Sequence, residues 1–126
     1  NANPASMAAA LDLLGQTQPR PSGRRIAVLG DMLELGKNSA DLHRSLVGPI
    51  AAARADLVFL CGPQMAGLWQ AIQSRMPGAY AETSSALAPE VMRQLRAGDV
   101  VLVKGSFGSR MSVIIDALKA RQAATA

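Results

Sequence analysis

Two short segments of the 126-residue sequence carry side chains whose types and spacing can do chemistry. The segment "GDMLELG", at residues 30–36, holds two carboxylates three residues apart, Asp31 and Glu34, between two glycines. Such a pair can bind an ammonium group or a partner's cation. Alternatively, Asp31 can cap a helical turn while Glu34 completes a capping box. The spacing by itself does not separate these two interpretations.

The second segment, "KGSFGSR" at residues 104–110, follows an apolar run. Lys104, Ser106 and Arg110 offer cations and a hydroxyl at the entrance of a helix, which suits an anion such as a carboxylate. The alternative is an exposed strand end with a serine cap. A phosphate-binding P-loop is excluded, because that motif needs glycine immediately before the lysine and Val103 stands there.

Neither the single histidine nor the single cysteine predicts a catalytic or metal site. His43 has no second histidine or cysteine nearby in sequence, so we predict a partly buried, hydrogen-bonded helix residue rather than a metal ligand. Cys61 follows the apolar run "LVFL", where a core residue is expected rather than a nucleophile. We therefore predict no catalytic residue and no metal ligand in this chain.

Composition narrows the class of protein. Hydrophobic residues make up 49% of the chain but aromatic residues only 3%, which favours an aliphatic core of helices packed on a sheet. The net charge is +4, yet only Arg20, Arg24 and Arg25 are grouped and no aromatic residues lie between them, which argues against nucleic-acid binding. No apolar run approaches the roughly 18 residues of a membrane helix, so we expect a soluble protein without membrane insertion.

Strands and helices alternate along the sequence and must position the two segments. The first helix is expected to have Ser6 as its cap, and the second is expected to bend at Gly48–Pro49. The apolar patterns predict strands at 24–30, 56–62, 79–82 and 99–105, and helices at 4–15, 39–55, 64–76, 85–97 and 110–121.

This alternation predicts an α/β fold with a Rossmann-like parallel sheet and helices on both faces. In the predicted strand order 3-2-1-4, the first and fourth strands are neighbours and the topological switch lies at their carboxyl ends. Residues 30–36 and 104–110 would then face one crevice.

Four motifs in this order resemble one protein family. The segments "NANPASMAAAL", "RRIAVLGDMLELG", "SADLHRSL" and "VLVKGSFGSRM" are similar to the C-terminal domain of bacterial Mur ligases of the MurF type, over Asn1 to about Leu118. The resemblance implies that residues 1–126 are a single Mur ligase C-terminal domain, a fragment of a three-domain enzyme. That enzyme adds D-alanyl-D-alanine to UDP-N-acetylmuramoyl-tripeptide in peptidoglycan synthesis.

The resemblance also implies the cofactors and partners of the full-length enzyme. ATP and Mg²⁺ belong to a central ATPase domain, an acyl phosphate forms on the growing peptide, and the C-terminal domain swings in with the dipeptide and closes the ATP site. The fragment alone is expected to be inactive and to bind no cofactor tightly. The enzyme is expected to be a cytoplasmic monomer.

By position in the motifs, the resemblance assigns two groups of residues. Relatives read "KGSR" where this chain reads "KGSFGSR", which leaves open whether Arg110 stands for that arginine. Lys104, Ser106 and Arg110 are expected to bind the carboxylate of the dipeptide, and Asp31 is expected to orient its amine. The expected nucleotide contacts are Asn1 and Asn3, and the expected dipeptide contacts are Asp31, Lys104, Ser106 and Arg110.

A different class of function also fits the sequence. The chain can be a free-standing Rossmann-like binding or interaction module without chemistry of its own. A P-loop motif a few hundred residues upstream in the parent reading frame would favour the ligase over this module.

Overall fold

The computed structural model describes residues 1–125, in which six α-helices and four strands alternate after the first helix. Three 3₁₀ turns precede helices, at Gly36–Asn38, Pro63–Met65 and Phe107–Ser109. The strands are β1 (Arg25–Gly30), β2 (Leu57–Cys61), β3 (Gly78–Ala81) and β4 (Val100–Lys104). The helices are α1 (Pro4–Gln16), α2 (Ser39–Arg44), α3 (Val47–Ala52), α4 (Ala66–Ile72), α5 (Ser84–Gln94) and α6 (Ser112–Thr125).

The four strands form one parallel sheet in the order β3-β2-β1-β4, which confirms the predicted topology. Val28 of β1 pairs with Phe59 on one side and with Val103 on the other. The carboxyl ends of β1 and β4 are therefore neighbours, and the segments that follow them meet there. No helix in the described part of the chain is long and apolar enough to cross a membrane.

Each face of the sheet carries its own apolar core, because successive strand side chains point to opposite faces. Ala27 and Leu29 pack against α1, α3 and α4, whose buried residues include Met7, Ile50 and Leu68. On the other face, α5 and α6 cover the second core, whose buried residues include Ile26, Val28, Phe59, Leu87, Val91 and Ile114. The helices on both faces agree with the prediction.

The cap of α1 differs from the prediction. Asn3, not Ser6, is the N-cap: its Oδ1 accepts the Ser6 N–H at 2.8 Å, and the Ser6 hydroxyl accepts the Asn3 N–H at 3.0 Å. Pro4 explains the difference, because its fixed φ suits the first helical position and therefore puts the cap one residue before it. The side-chain oxygen of Asn3 is thus already hydrogen-bonded to the backbone of α1.

The predicted second helix is broken earlier than its Gly-Pro pair. The α-helical hydrogen-bond pattern is interrupted at Ser45–Leu46, between α2 and α3, although both residues keep right-handed helical backbone angles. Pro49 lies in the first turn of α3. A proline ring inside a helix would clash with the carbonyl group four residues earlier, which here belongs to Ser45. The break therefore falls one turn before the proline.

An ion pair joins β1 and β4 at the amino ends of the strands, opposite the candidate site. The Arg24 guanidinium lies 2.8 Å from the Asp99 carboxylate, whose side chain is 2% exposed. Burial by itself would raise the pKa of Asp99, but hydrogen bonds from Arg24 and from the Arg96 N–H lower it below its usual value. The pair fixes the two strands whose opposite ends build the site.

Candidate functional site

Asp31 joins the ends of three strands. It follows β1 directly, and its buried carboxylate accepts the N–H groups of Gln64 and Met65, after β2, at 3.2 and 3.1 Å. Its backbone carbonyl accepts the Ser106 N–H, after β4, at 2.9 Å. Burial raises the pKa of Asp31 above its usual value, although the two amide hydrogen bonds oppose this. Asp31 therefore fixes the geometry of the crevice as well as lining it.

Glu34 and Asp31 do not form a capping box. Asp31 caps the turn that follows β2 rather than a turn in its own segment. Glu34 is exposed with a left-handed φ of 62°, and Asn38, the N-cap of α2, makes no side-chain capping bond. The capping-box alternative for this pair is therefore wrong.

His43 forms hydrogen bonds to both ends of the segment between β1 and α2. Its ring is completely buried, Nε2 accepts the Met32 N–H at 2.9 Å, and Nδ1 donates to the Ser39 carbonyl at 2.7 Å. These bonds require the proton on Nδ1 and a free lone pair on Nε2, so the imidazole is neutral. The predicted hydrogen-bonded histidine is found, although it is fully rather than partly buried. Within residues 1–125, no group of three His, Cys, Asp or Glu residues can hold a metal ion.

Cys61 is a core residue, as predicted. Its Sγ lies 3.5 Å from the sulfur of Met111, the residue before α6. Burial raises the pKa of the thiol to about 11, so almost no thiolate forms near neutral pH. The thiol is not a nucleophile at this site.

Ser106 organises the segment after β4. Its hydroxyl accepts the Leu33 N–H at 2.9 Å and lies 3.4 Å from the Ala2 carbonyl. Its own carbonyl accepts hydrogen bonds from the N–H and the hydroxyl of Ser109. Ser106 therefore ties the chain start, the segment after β1 and the 3₁₀ turn to one another.

Lys104 and Arg110 lie on different sides of this segment. Lys104 Nζ donates to the Asn1 carbonyl at 3.3 Å, on the α1 side of the sheet. Strand alternation explains this, because Leu102 packs on the α1 core and Val103 on the α6 core, which returns Lys104 to the α1 side. Arg110 is exposed, has a left-handed φ of 56° and immediately precedes Met111 and α6. The expectation that Lys104 and Arg110 flank one carboxylate stays a prediction.

Predicted site residues line three cavities, one of which has a volume of about 630 Å³ and is lined by residues that include Asn1, Ser106 and Arg110. The other two are named here. A cavity of about 410 Å³, here called the strand-end cavity, is lined by residues that include Asp31, Gly62, Glu82, Ser84, Ser85 and Arg110. A second cavity of about 450 Å³, here called the hinge cleft, is lined by residues that include Asn1, Asn3, Leu33, Glu34, Ser106 and Phe107. Both volumes fall within the range of about 300–1,000 Å³ usual for small-molecule sites. The structure thus brings Asp31 and Arg110 together, and the two asparagines together with Ser106.

Sequence reasoning missed the wall of the strand-end cavity that β3 and α5 provide. Residues 82–85, "ETSS", follow β3 and begin α5, with Thr83 as the N-cap. The cap-rich composition of this segment was the available signal, because three hydroxyl residues at a strand-to-helix junction leave polar groups at the carboxyl edge of a sheet.

Comparison with known proteins gives consistent matches. The profile of the family described as "Mur ligase, glutamate ligase domain" matches residues 1–107. A UDP-N-acetylmuramoyl-tripeptide–D-alanyl-D-alanine ligase from Treponema pallidum is 40% identical over 109 residues, which cover 84% of this chain and 23% of that protein. The chain thus spans about a quarter of the length of the curated relatives it matches.

Solved structures agree with the observed fold. A crystal structure of MurF from Acinetobacter baumannii superposes with a TM-score of 0.78 at 25% identity, covering 92% of this chain and 25% of that one. A MurF ligase structure from Thermotoga maritima, solved in complex with ADP, gives a TM-score of 0.77 over the whole of this chain and 28% of that one. Its 21% identity makes it a match of fold alone.

Proposed function

The chain belongs to the Mur ligase family, and from this premise we propose that it is the C-terminal domain of an ATP-dependent ligase that joins D-alanyl-D-alanine to UDP-N-acetylmuramoyl-tripeptide. The reaction forms an amide bond in peptidoglycan synthesis. In the full-length enzyme, the dipeptide amine attacks an acyl phosphate on the tripeptide, phosphate leaves, and the amine loses a proton. This domain delivers the dipeptide and closes the ATP site.

The observation that carries the proposal is the pairing of opposite charges in the strand-end cavity. D-Alanyl-D-alanine has an ammonium group at one end and a carboxylate at the other. Arg110 lies on one wall with an exposed guanidinium, and the buried carboxylate of Asp31 lies on another. Each end of a zwitterion thus has a partner of opposite charge in this cavity. A ligand with only a carboxylate or only an amine would pair with one of the two groups.

We propose that the hinge cleft faces the nucleotide. Asn1 and Asn3 line it, and Lys104 Nζ lies beside the Asn1 carbonyl. Because Asn3 Oδ1 already caps α1, only its amide N–H groups are free to donate to a base or ribose. We accordingly move Lys104 from the proposed dipeptide contacts to the nucleotide side, where an ammonium group can approach a phosphate. The Ser106 hydroxyl accepts the Leu33 N–H, and this bond connects the segments that line the two cavities.

Within the described residues, no group of three His, Cys, Asp or Glu side chains could hold a metal ion, and we assign magnesium no ligands on this domain. We propose instead that the ion and the P-loop belong to the central ATPase domain of the full-length enzyme.

The proposed partner of the hinge cleft is that central domain. Phe107 is 96% exposed and Leu33 40% exposed at the rim of the cleft, beside Asn1. In the proposed full-length enzyme, the central domain would pack against this apolar rim. Burying an aromatic side chain on closure would stabilise the closed form. We further propose that the enzyme is a monomer of the bacterial cytoplasm, where its nucleotide-linked substrate and ATP are found.

The test uses the full-length protein that contains this chain. We expect phosphate release from ATP only when UDP-N-acetylmuramoyl-tripeptide and D-alanyl-D-alanine are both present. Arg110→Ala should raise the dipeptide KM by about 10- to 100-fold through loss of a charge-assisted contact, with the ATP KM nearly unchanged. A free-standing binding module would show no turnover with any combination of these substrates.

A further inference from the structure

Among the described residues, one buried polar side chain has no hydrogen-bond partner in the protein. The described part of the chain has three buried polar or charged residues, and the carboxylate of Asp31 and the ring of His43 are both hydrogen-bonded. Ser84 is only 4% exposed, yet its hydroxyl bonds no other described residue. Every polar side-chain atom in this part of the chain that has no hydrogen-bond partner is accessible to solvent. The Ser84 hydroxyl is therefore accessible, and Ser84 lines the strand-end cavity.

The backbone around Ser84 also has free donors directed at the same cavity. Ser84 and Ser85 are the first two residues of α5, an eleven-residue helix whose N-cap is Thr83. The Thr83 hydroxyl accepts the Ala86 N–H, and its carbonyl accepts the Leu87 N–H. The N–H groups of Ser84 and Ser85 accordingly have no acceptor among the described residues, and the positive end of the helix dipole adds to their attraction for an anion.

Arg110 lines the same cavity as Ser84 and Ser85, so a hydroxyl, two amides and a guanidinium border one space. This set of donors suits a carboxylate. The other charged groups on the cavity walls are Asp31 and Glu82, both carboxylates, so a ligand with negative charge alone would be repelled. A ligand that carries a carboxylate at one end and an ammonium at the other satisfies both sets of groups.

We propose that the N-terminus of α5, through Ser84 and the Ser84 and Ser85 amides, binds the terminal carboxylate of the incoming dipeptide opposite Arg110. The inference rests on the proposed function, since it takes the zwitterionic ligand of the strand-end cavity to be the acceptor dipeptide. The ammonium end then lies toward Asp31 and Glu82, which makes the free C-terminal carboxylate of the dipeptide a requirement for binding.

Two substitutions remove the donors one step at a time. Ser84→Ala deletes the hydroxyl, and Ser84→Pro deletes both the hydroxyl and the N–H. Proline is well tolerated at the first helical position, and Thr83 already has the extended conformation (φ −134°, ψ 157°) favoured before proline. Ser74→Ala, in an exposed turn after α4, is the matched control.

The experiment measures ligation by the full-length enzyme with D-alanyl-D-alanine and with its C-terminal amide, which lacks the carboxylate charge. We expect the wild type and Ser74→Ala to prefer the acid, Ser84→Ala to raise its KM about 10-fold, and Ser84→Pro to lose most of the preference for acid over amide. Thermal unfolding midpoints equal to that of the wild type would show that the variants are folded. If Ser84→Pro does not fold, the KM of Ser84→Ala still tests the proposal.

The outcomes separate this inference from the proposed function. If the wild type ligates the dipeptide but Ser84→Pro keeps the full preference for the acid, the carboxylate subsite is wrong and the ligase assignment stands. If the wild type shows no ligation, the proposed function fails, and calorimetric titration with the same acid and amide tests the subsite directly. Equal affinities of the wild type for the acid and the amide would then overturn it.

Discussion

Replacing Gly62 with alanine should destabilise the fold, because the added methyl group would strain the backbone and collide with the buried carboxylate of Asp31. Gly62 follows β2 with φ 110° and ψ 149°, a conformation that is nearly restricted to glycine. A Cβ atom there would lie 2.3 Å from both Cγ and Oδ1 of Asp31. Because this carboxylate is held by the Gln64 and Met65 amides, it cannot move away without breaking those bonds.

The magnitude follows from two contributions. The backbone conformation costs a non-glycine residue about 2 kcal/mol. Displacing the Asp31 carboxylate loses charge-assisted hydrogen bonds worth about 1.5–3 kcal/mol. The free energy of unfolding should therefore fall by roughly 3–5 kcal/mol, a large part of the stability of a domain of this size.

Two other glycines separate the contributions. Gly36 has φ 75° but no atom within 4 Å of an added Cβ, so Gly36→Ala measures backbone strain alone and should cost about 1 kcal/mol. Gly48 lies in α3, again with nothing within 4 Å, and Gly48→Ala should stabilise the helix by about 0.5–1 kcal/mol.

Urea unfolding of the 126-residue chain at pH 7, followed by circular dichroism, measures all three variants. Combining Gly62→Ala with Asp31→Ala should cost less than the sum of the two single changes, because the clash disappears with the carboxylate. The reasoning is refuted if Gly62→Ala costs no more than Gly36→Ala, or if the double variant is additive.

Three further predictions concern the ion pair, the hinge cleft and the isolated domain. Asp99→Asn leaves Arg24 without its partner and should lower the free energy of unfolding by about 3 kcal/mol at pH 7, measured in urea. Folding lowers the pKa of Asp99 from its usual 3.8, so the Asp99 carboxylate stabilises the folded state fully above pH 3.8. This contribution is lost as the pH falls through the lowered pKa. Asp99→Asn should therefore make the free energy of unfolding depend less on pH in this acidic range. In the full-length enzyme, Lys104→Ala should raise the ATP KM and leave the dipeptide KM nearly unchanged, and steady-state kinetics showing the reverse would return Lys104 to the strand-end cavity. The isolated chain should show no ligation and should bind ATP no more tightly than millimolar, since Asn1, Asn3 and Lys104 are the only proposed contacts to the nucleotide and each net hydrogen bond contributes about 1 kcal/mol. Micromolar affinity by calorimetry would contradict this.

The strand order and the two-faced core were predictable because both depend on long patterns. Alternating apolar runs and helical spacings define a parallel α/β sheet with little dependence on any single residue. The family resemblance rested in the same way on four motifs in order, and the family match over residues 1–107 confirms it.

The details that the sequence did not reveal depend on single positions. Whether Lys104 faces α1 or α6 is decided by strand parity, and a shift of one residue in the strand end reverses it. The role of Asp31 as a cap for the turn after β2 is a contact over more than thirty residues, which local spacing cannot reveal. Ser84 looks in sequence like an ordinary helix start, and only its lack of a partner in the folded chain sets it apart.

The most direct test of the central claim is mass spectrometry of the products made by the full-length protein. With ATP, UDP-N-acetylmuramoyl-tripeptide and D-alanyl-D-alanine, we predict a UDP-linked pentapeptide whose mass equals the two peptide substrates less one water, with one ADP formed for each product molecule. The Arg110→Ala variant should give the same product but need a higher dipeptide concentration. Formation of ADP without a pentapeptide, or a pentapeptide formed equally well by the variant at low dipeptide concentration, would contradict the account.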